Sequence, residues 1–322
     1  MRLIYSKLLL IFTALAIASS PLFAVEYDIK TIGKHEDEVL GVFVNEDDTK
    51  VATCSLDETI KIWEIPSGKL LRTLKGHLGQ VNNLSFSGND KWLASGSSDH
   101  TVRVWDVETG DQIQILKGHT DQVIGVYFSQ DDSSTFIAST SFDRTVKLWD
   151  RTLGSEVKTL RGHTKATNNV AYSYDGKYIA SCSDDNTIKI WSTDLTTKEP
   201  LMSLTGHDSP VLTVLYNGTS KKLVSSDQNG NIKVWNMPAG TLLRSWKAHD
   251  DLVQDVSFAF DDDRTIVSCS LDKKVKIWDS LTGRLKYEKE IDTEIWSVDL
   301  ITDQSIIILG CLDGTVRFMV KK

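Results

Sequence analysis

Proline is scarce in this 322-residue chain, with 5 residues, and cysteine scarcer, with 4. A chain of this length can bury a large core, so disulfides and structural metal are not needed for stability. Basic charge is also short. Lys and Arg number 36 against 44 Asp and Glu, a formal net charge of −8. Nucleic-acid binders usually show the opposite balance, because they replace phosphate counterions. No nucleic-acid partner is expected, and the acidic excess serves solubility. No window carries a helical apolar period, and no low-complexity segment interrupts the chain. Phosphate-loop, dinucleotide and zinc-ligand spacings are missing as well, so the expected cofactor and metal complement is none.

Long apolar runs are confined to the first 24 residues. Arg2 and Lys7 form a short positive leader, and Leu8 to Ala18 is apolar or small apart from Thr13. Ser19, Ser20 and Pro21 break the run, and Leu22-Phe23-Ala24 precedes the acidic Val25-Glu26-Tyr27-Asp28. This layout reads as a secretory signal peptide over 1–24, cut after Ala24, with export to a periplasm or the exterior. The alternative is an uncleaved anchor, since Leu8 to Val25 offers 18 uncharged positions, just enough to span a bilayer. A membrane contact is expected only in that case. Residues 25–322 form one further domain.

That domain is repetitive. Ser98-Asp99-His100-Thr101-Val102-Arg103-Val104-Trp105-Asp106 returns as Phe142-Asp143-Arg144-Thr145-Val146-Lys147-Leu148-Trp149-Asp150. Related phrases surround Trp63, Trp191, Trp235 and Trp278, with successive tryptophans 42, 44, 42, 44 and 43 residues apart. A Gly-His pair recurs at His77, His119, His163 and His207, altered to Lys34-His35 and Ala248-His249. Each unit holds four short alternating segments bounded by Gly, Asn, Asp and Ser. In one unit they are Val81–Phe86, Trp92–Ser97, Thr101–Trp105 and Gln112–Leu116. Four strands in ~40–45 residues is the blade of a propeller.

Six units are plain, and a seventh follows by register. Asp313-Gly314-Thr315-Val316-Arg317-Phe318 repeats the phrase, with Met319 in the place of Trp and Ile291 in the place of His. The seventh unit ends one strand short, and Tyr27 to Ile32 stands before His35 as Gln112 to Leu116 stands before His119. The expected fold is therefore all-β: a seven-bladed β-propeller whose last blade is closed by the N-terminal strand. The recurrence of Gly-His, a Ser-rich strand, Asp and Trp-Asp resembles the WD-repeat family, from about Glu26 to Val320.

The resemblance implies a hydrogen-bonded chain of His, Ser or Thr, Asp and Trp in each blade. The sets are His77, Ser95, Asp99 and Trp105; His119, Ser139, Asp143 and Trp149; His163, Ser181, Asp185 and Trp191; and His249, Ser268, Asp272 and Trp278. Blade one offers Thr53 and Asp57. Blade five offers Ser225, with Asn229 in the register position of the acid. Blade seven, with Ile291, Leu309 and Met319, is expected to replace the network by apolar packing. Ser, His and Asp could also suggest nucleophilic hydrolysis, but six copies of one set read as structure. Cys54, Cys182 and Cys269 stand at equivalent positions of separate blades, and Cys311 nearby in blade seven, which suits small buried residues better than disulfides.

The resemblance also implies a partner-binding face, formed by the loop after His and the turn at Asp. Two columns feed it. Five residues after His stand Leu40, Asn82, Ile124, Asn168, Leu212, Gln254 and Trp296. Just before the Asp stand Leu56, Ser98, Phe142, Asp184, Gln228, Leu271 and Leu312. A tight turn needs no apolar residue, so Leu56, Phe142, Leu271 and Leu312 point to an interaction surface, with Leu40 and Trp296 beside them. The expected function is a non-catalytic scaffold for a protein or peptide partner. The alternative is an exported enzyme or small-ligand binder using the central channel. The columns give that alternative only one titratable group, Asp184. For export, the intact mass of native protein is expected to lack residues 1–24. A full-length species in the membrane fraction would indicate the anchor, and a full-length soluble cytoplasmic species would contradict both.

Overall fold

Alternating apolar and polar residues between turn clusters fold as antiparallel strands, because successive side chains point to opposite faces. The computed structural model describes residues 25–130, 133–259 and 263–322, so the leader over 1–24 lies outside the described residues. The described chain forms 28 strands in seven four-stranded antiparallel sheets. Blade two shows the pattern. Val81–Phe86 lies innermost, followed outward by Trp92–Ser97, Thr101–Asp106 and Gln112–Lys117. The inner strand of each blade packs on its counterparts in both neighbours, and Val39–Val44 of blade one packs on Ile295–Leu300 of blade seven to close the ring.

Both faces of each middle strand are buried between blades, so alternate residues serve opposite interfaces. Leu93 and Trp105 of blade two pack with Ala52, Cys54 and Ile62 of blade one. Ala94, Val102 and Val104 pack instead with Val123, Val126 and Trp149 of blade three. The core is thus a set of apolar layers between sheets, with each fully buried aliphatic or aromatic side chain contributing ~1.5–3 kcal/mol. The outer strand Gln112–Lys117, by contrast, buries only Leu116. All four cysteines are buried thiols.

Blade seven closes as the register count predicts. Tyr27–Lys34 pairs antiparallel with Thr315–Lys321, with Tyr27 opposite Lys321 and Lys34 opposite Thr315. Ile291, Leu309 and Met319 are buried in one apolar layer with Val267 and Cys269 of blade six. Without the N-terminal strand, Thr315–Lys321 would present a long unpaired edge, which invites aggregation. Deletion of residues 25 to 33 is therefore expected to give an unstable, aggregating protein. Thermal melts and size-exclusion profiles equal to those of the full chain would contradict the closure.

Candidate functional site

In blades one to six the polar residues of the repeat form a one-way relay. The Trp indole can only donate, so its N–H fixes the hydroxyl as acceptor: Trp105 Nε1 donates to Ser95 Oγ at 2.8 Å. The ionised Asp99 can only accept, so the proton of the neutral His77 ring sits on Nδ1, 2.8 Å from Asp99 Oδ2, and Nε2 is left to accept the Ser95 hydroxyl proton at 2.7 Å. The same chain runs through Trp149, Ser139, His119 and Asp143, and through Trp191, Ser181, His163 and Asp185. It recurs through Trp278, Ser268, His249 and Asp272. In blade one Thr53 serves for Ser, between Trp63 and His35, with Asp57 at the far end.

The charges agree with that relay. Burial holds His35 down at about 4, against the pull of Asp57. Burial likewise lowers His77, His119, His207 and His249, so these rings stay neutral. Burial pulls the Asp99 carboxyl upward, but hydrogen bonds from His77 and Thr101 outweigh it and keep Asp99 ionised. The acid also anchors the next loop: Leu78 N–H donates to Asp99 at 3.1 Å, and Thr120 N–H to Asp143 at 3.1 Å.

Blade five corrects the register reading. The acid of its relay is Asp227, not Asn229: His207 Nδ1 lies 2.7 Å from Asp227 Oδ2, while Asn229 is exposed. Asp227 stands where the other blades carry Ser97, Ser141 or Ser183, two residues earlier than the motif acid. It is fully buried and also accepts from the backbone N–H groups of Asn229 and Asn231. The charge is therefore kept in blade five, carried from a different rung of the strand.

Both face columns acquire a geometric cause. Every inner strand carries a one-residue bulge, and the extra residue is the one five after His. Leu40, Asn82 and Ile124 are the skipped residues in blades one to three. Asn168, Leu212, Gln254 and Trp296 are skipped in blades four to seven. A bulge residue leaves the ladder and re-aims its side chain. The turn column is held beside it, with Leu56 N–H on Glu38 O and Leu312 N–H on Glu294 O, both 3.0 Å. The residue after the repeat's turn position adopts a left-handed conformation in every blade, from Glu58 at φ 67° to Gly314 at φ 80°; in blade five it is Gly230, at φ 79°, after Asn229 rather than after the relay acid Asp227. At Gly314 a side chain would also meet the carbonyls of His35 and Asp37 in blade one, at 2.9 Å.

In blades two and four the two columns bind each other. Asn82 Nδ2 donates to Ser98 Oγ at 3.2 Å and Asn168 Nδ2 to Asp184 Oδ1 at 2.8 Å, and each amide also reaches a carbonyl of the next blade. The pairs Leu40 with Leu56 and Trp296 with Leu312 can make no such bond. Leu40, Leu56, Leu271, Trp296 and Leu312 are all partly exposed, and Trp296 donates its indole N–H to Glu38 of blade one at 3.1 Å. Leu40 also packs against the layer between blades one and two. Phe142 is the most open of the six at 40% exposure, but it stands in blade three, across the ring.

The inner strands surround a channel of about 170 Å³. Four carboxylates outside the face columns line it, Glu46, Asp48, Asp255 and Asp299, and Asp255 and Asp299 stand on the inner strands themselves. Asp255 accepts from Ser297 Oγ at 2.6 Å and Val298 N–H at 3.2 Å in blade seven. Asp299 accepts from Val44 N–H of blade one and Ser257 Oγ of blade six, each at 2.9 Å. Both keep some solvent contact, yet they lie deep enough that burial pushes Asp255 up to about 7 and Asp299 to about 6. One sequence signal marks them. They occupy inner-strand positions where aligned residues of other blades are Gly41, Asn83 and Asn169, or Phe43 and Tyr127.

Six segments match the WD domain, G-beta repeat family: residues 27–64, 68–106, 110–150, 154–192, 198–236 and 240–279. The chain belongs to the WD-repeat family. Each matched WD repeat starts on the outer strand of one blade and ends with the Trp strand of the next, so the repeats interlock the ring. A WD repeat-containing protein 89 homolog from Dictyostelium discoideum is 34% identical over 82 residues, 26% of this chain. That match spans 23% of the relative's own length. WD-repeat propellers generally serve as scaffolds that bind proteins or peptides, and are typically not enzymes.

Stability tests separate the two candidate acids of blade five. Asp227→Ala is expected to cost about 1–3 kcal/mol by leaving His207 without its buried acceptor, as is Asp99→Ala for His77. Asn229→Ala, and Asp313→Ala in the blade without a relay, should cost less. Equal losses for Asp227 and Asn229 in denaturant melts would contradict the assignment.

Proposed function

We propose that this WD-repeat propeller is a non-catalytic scaffold that captures a protein or peptide partner on the face carrying the bulge and turn columns. The docking cluster is Leu40, Leu56, Leu271, Trp296 and Leu312, with Phe142 a separate apolar point across the ring. One observation carries this reading. The paired positions that blades two and four spend on Asn82–Ser98 and Asn168–Asp184 ties are apolar in the adjacent blades seven and one, as they are in blade three with Ile124 and Phe142. An apolar group concentrated in adjacent blades and rimmed by polar loops is the mark of an interaction surface. Trp296 supports it further, because it stands at the bulge and not in the relay position of its blade, and stays partly exposed while its indole N–H reaches Glu38 of blade one. Export through residues 1–24 is part of the same reading.

The channel alternative draws on Asp255 and Asp299. Their oxygens are already engaged by donors from neighbouring blades, which favours a role as ties across the ring over a role as acid or base toward a substrate.

A hot-spot Trp contributes ~2 kcal/mol or more, about thirtyfold in affinity. Trp296→Ala is expected to remove most partner capture in pulldowns from the native compartment, with the melting temperature nearly unchanged. Lost stability with capture intact would show that Trp296 is core, and would move the site to another surface.

A further inference from the structure

The loops that follow the relay histidines differ sharply in charge around the ring. Blades six, seven and one carry Asp250 and Asp251, Asp292 and Glu294, and Glu36, Asp37 and Glu38. The equivalent loops of blades two to five carry only Asp121, Asp208 and Lys165. Seven carboxylates thus crowd onto the three consecutive loops that rim Leu271, Trp296, Leu312, Leu56 and Leu40. The loops are fixed in place. Glu36 N–H and Asp250 N–H donate to the relay acids Asp57 and Asp272, at 3.0 and 3.2 Å. Glu36, Asp37, Asp250, Asp251 and Asp292 are exposed.

Among the described residues, basic partners reach two of the seven: Arg317 pairs with Asp292, and Lys273 with Glu294 at 3.4 Å. Glu38 turns inward to accept the Trp296 indole. Asp37 and Asp251 cap the N–H of the following residue, at 2.9 and 2.7 Å. A like-signed rim around an apolar centre raises the local concentration of opposite charge and speeds encounter.

We propose that this face takes a partner segment in which a large apolar anchor is flanked by lysine or arginine. The anchor seats against Trp296 and the neighbouring leucines, and the basic residues meet the loops of blades six, seven and one. The inference rests on the docking reading given above and adds to it the partner's charge.

The test is a selection of random peptides displayed on phage against the full chain, followed by binding kinetics on the winners. The expected winners carry Lys or Arg beside a large apolar residue, and lose binding on Trp296→Ala. Their association rate should fall about tenfold between ~50 and ~300 mM salt. The double variant Glu36→Lys, Asp250→Lys changes exposed side chains outside the relays. It should slow association by a similar factor, with the melting temperature held. Winners that depend on Trp296 but show no basic enrichment, or that ignore the charge reversal, would overturn the charge inference and leave the docking site standing. Winners indifferent to Trp296→Ala, or no enrichment over an empty support, would overturn the docking site itself.

Discussion

One hydroxyl in each of six blades holds this structure together. Ser95 and its counterparts sit between an indole that can only donate and a histidine nitrogen that must then accept. The ionised aspartate at the far end can only accept, so with the indole it fixes the direction of every bond between them. Each bond alone stabilises by about 1 kcal/mol net, but removing one partner leaves a buried group unsatisfied at ~1–3 kcal/mol. The relay ends on an ionised aspartate that also grips the N–H of the residue after His. Buried chemistry in each sheet therefore sets the position of a loop on the face. That link joins core packing to the surface where partners are met.

Blades five and seven show how much freedom the constraint leaves. Blade five keeps the relay but draws its acid from Asp227, because any carboxylate that reaches Nδ1 closes the chain. Blade seven abandons the relay whole. Ile291, Leu309 and Met319 replace His, Ser and Trp together, and all three are buried in one apolar layer. Partial loss would be costlier than either arrangement. The inner bulge survives in blade seven regardless, and there it presents Trp296. The relay and the bulge are thus separable devices, one for stability and one for the face.

The ring, the seventh blade and its closing strand were legible in the sequence because a fixed period repeats strand, turn and strand in register. The relay residues were legible for the same reason. The blade-five acid was not, since Asp227 and Asn229 are both plausible acceptors two residues apart and only the backbone path decides between them. Asp255 and Asp299 belong to no repeated motif, and only their departure from the uncharged residues of blades one to four at the same inner-strand positions sets them apart. The dual character of Leu40, half face and half interblade packing, also depends on a bulge that hydrophobic alternation does not announce.

The central claim is that Ser95 and Asp99 act as parts of one relay through His77, rather than as independent polar contacts. A double-mutant cycle in denaturant tests it most directly, comparing Ser95→Ala, Asp99→Ala and the pair. The relay predicts a coupling of ~0.5–3 kcal/mol, since the first substitution already breaks the chain the second would break. Strict additivity of the two losses, within ~0.3 kcal/mol, would contradict it.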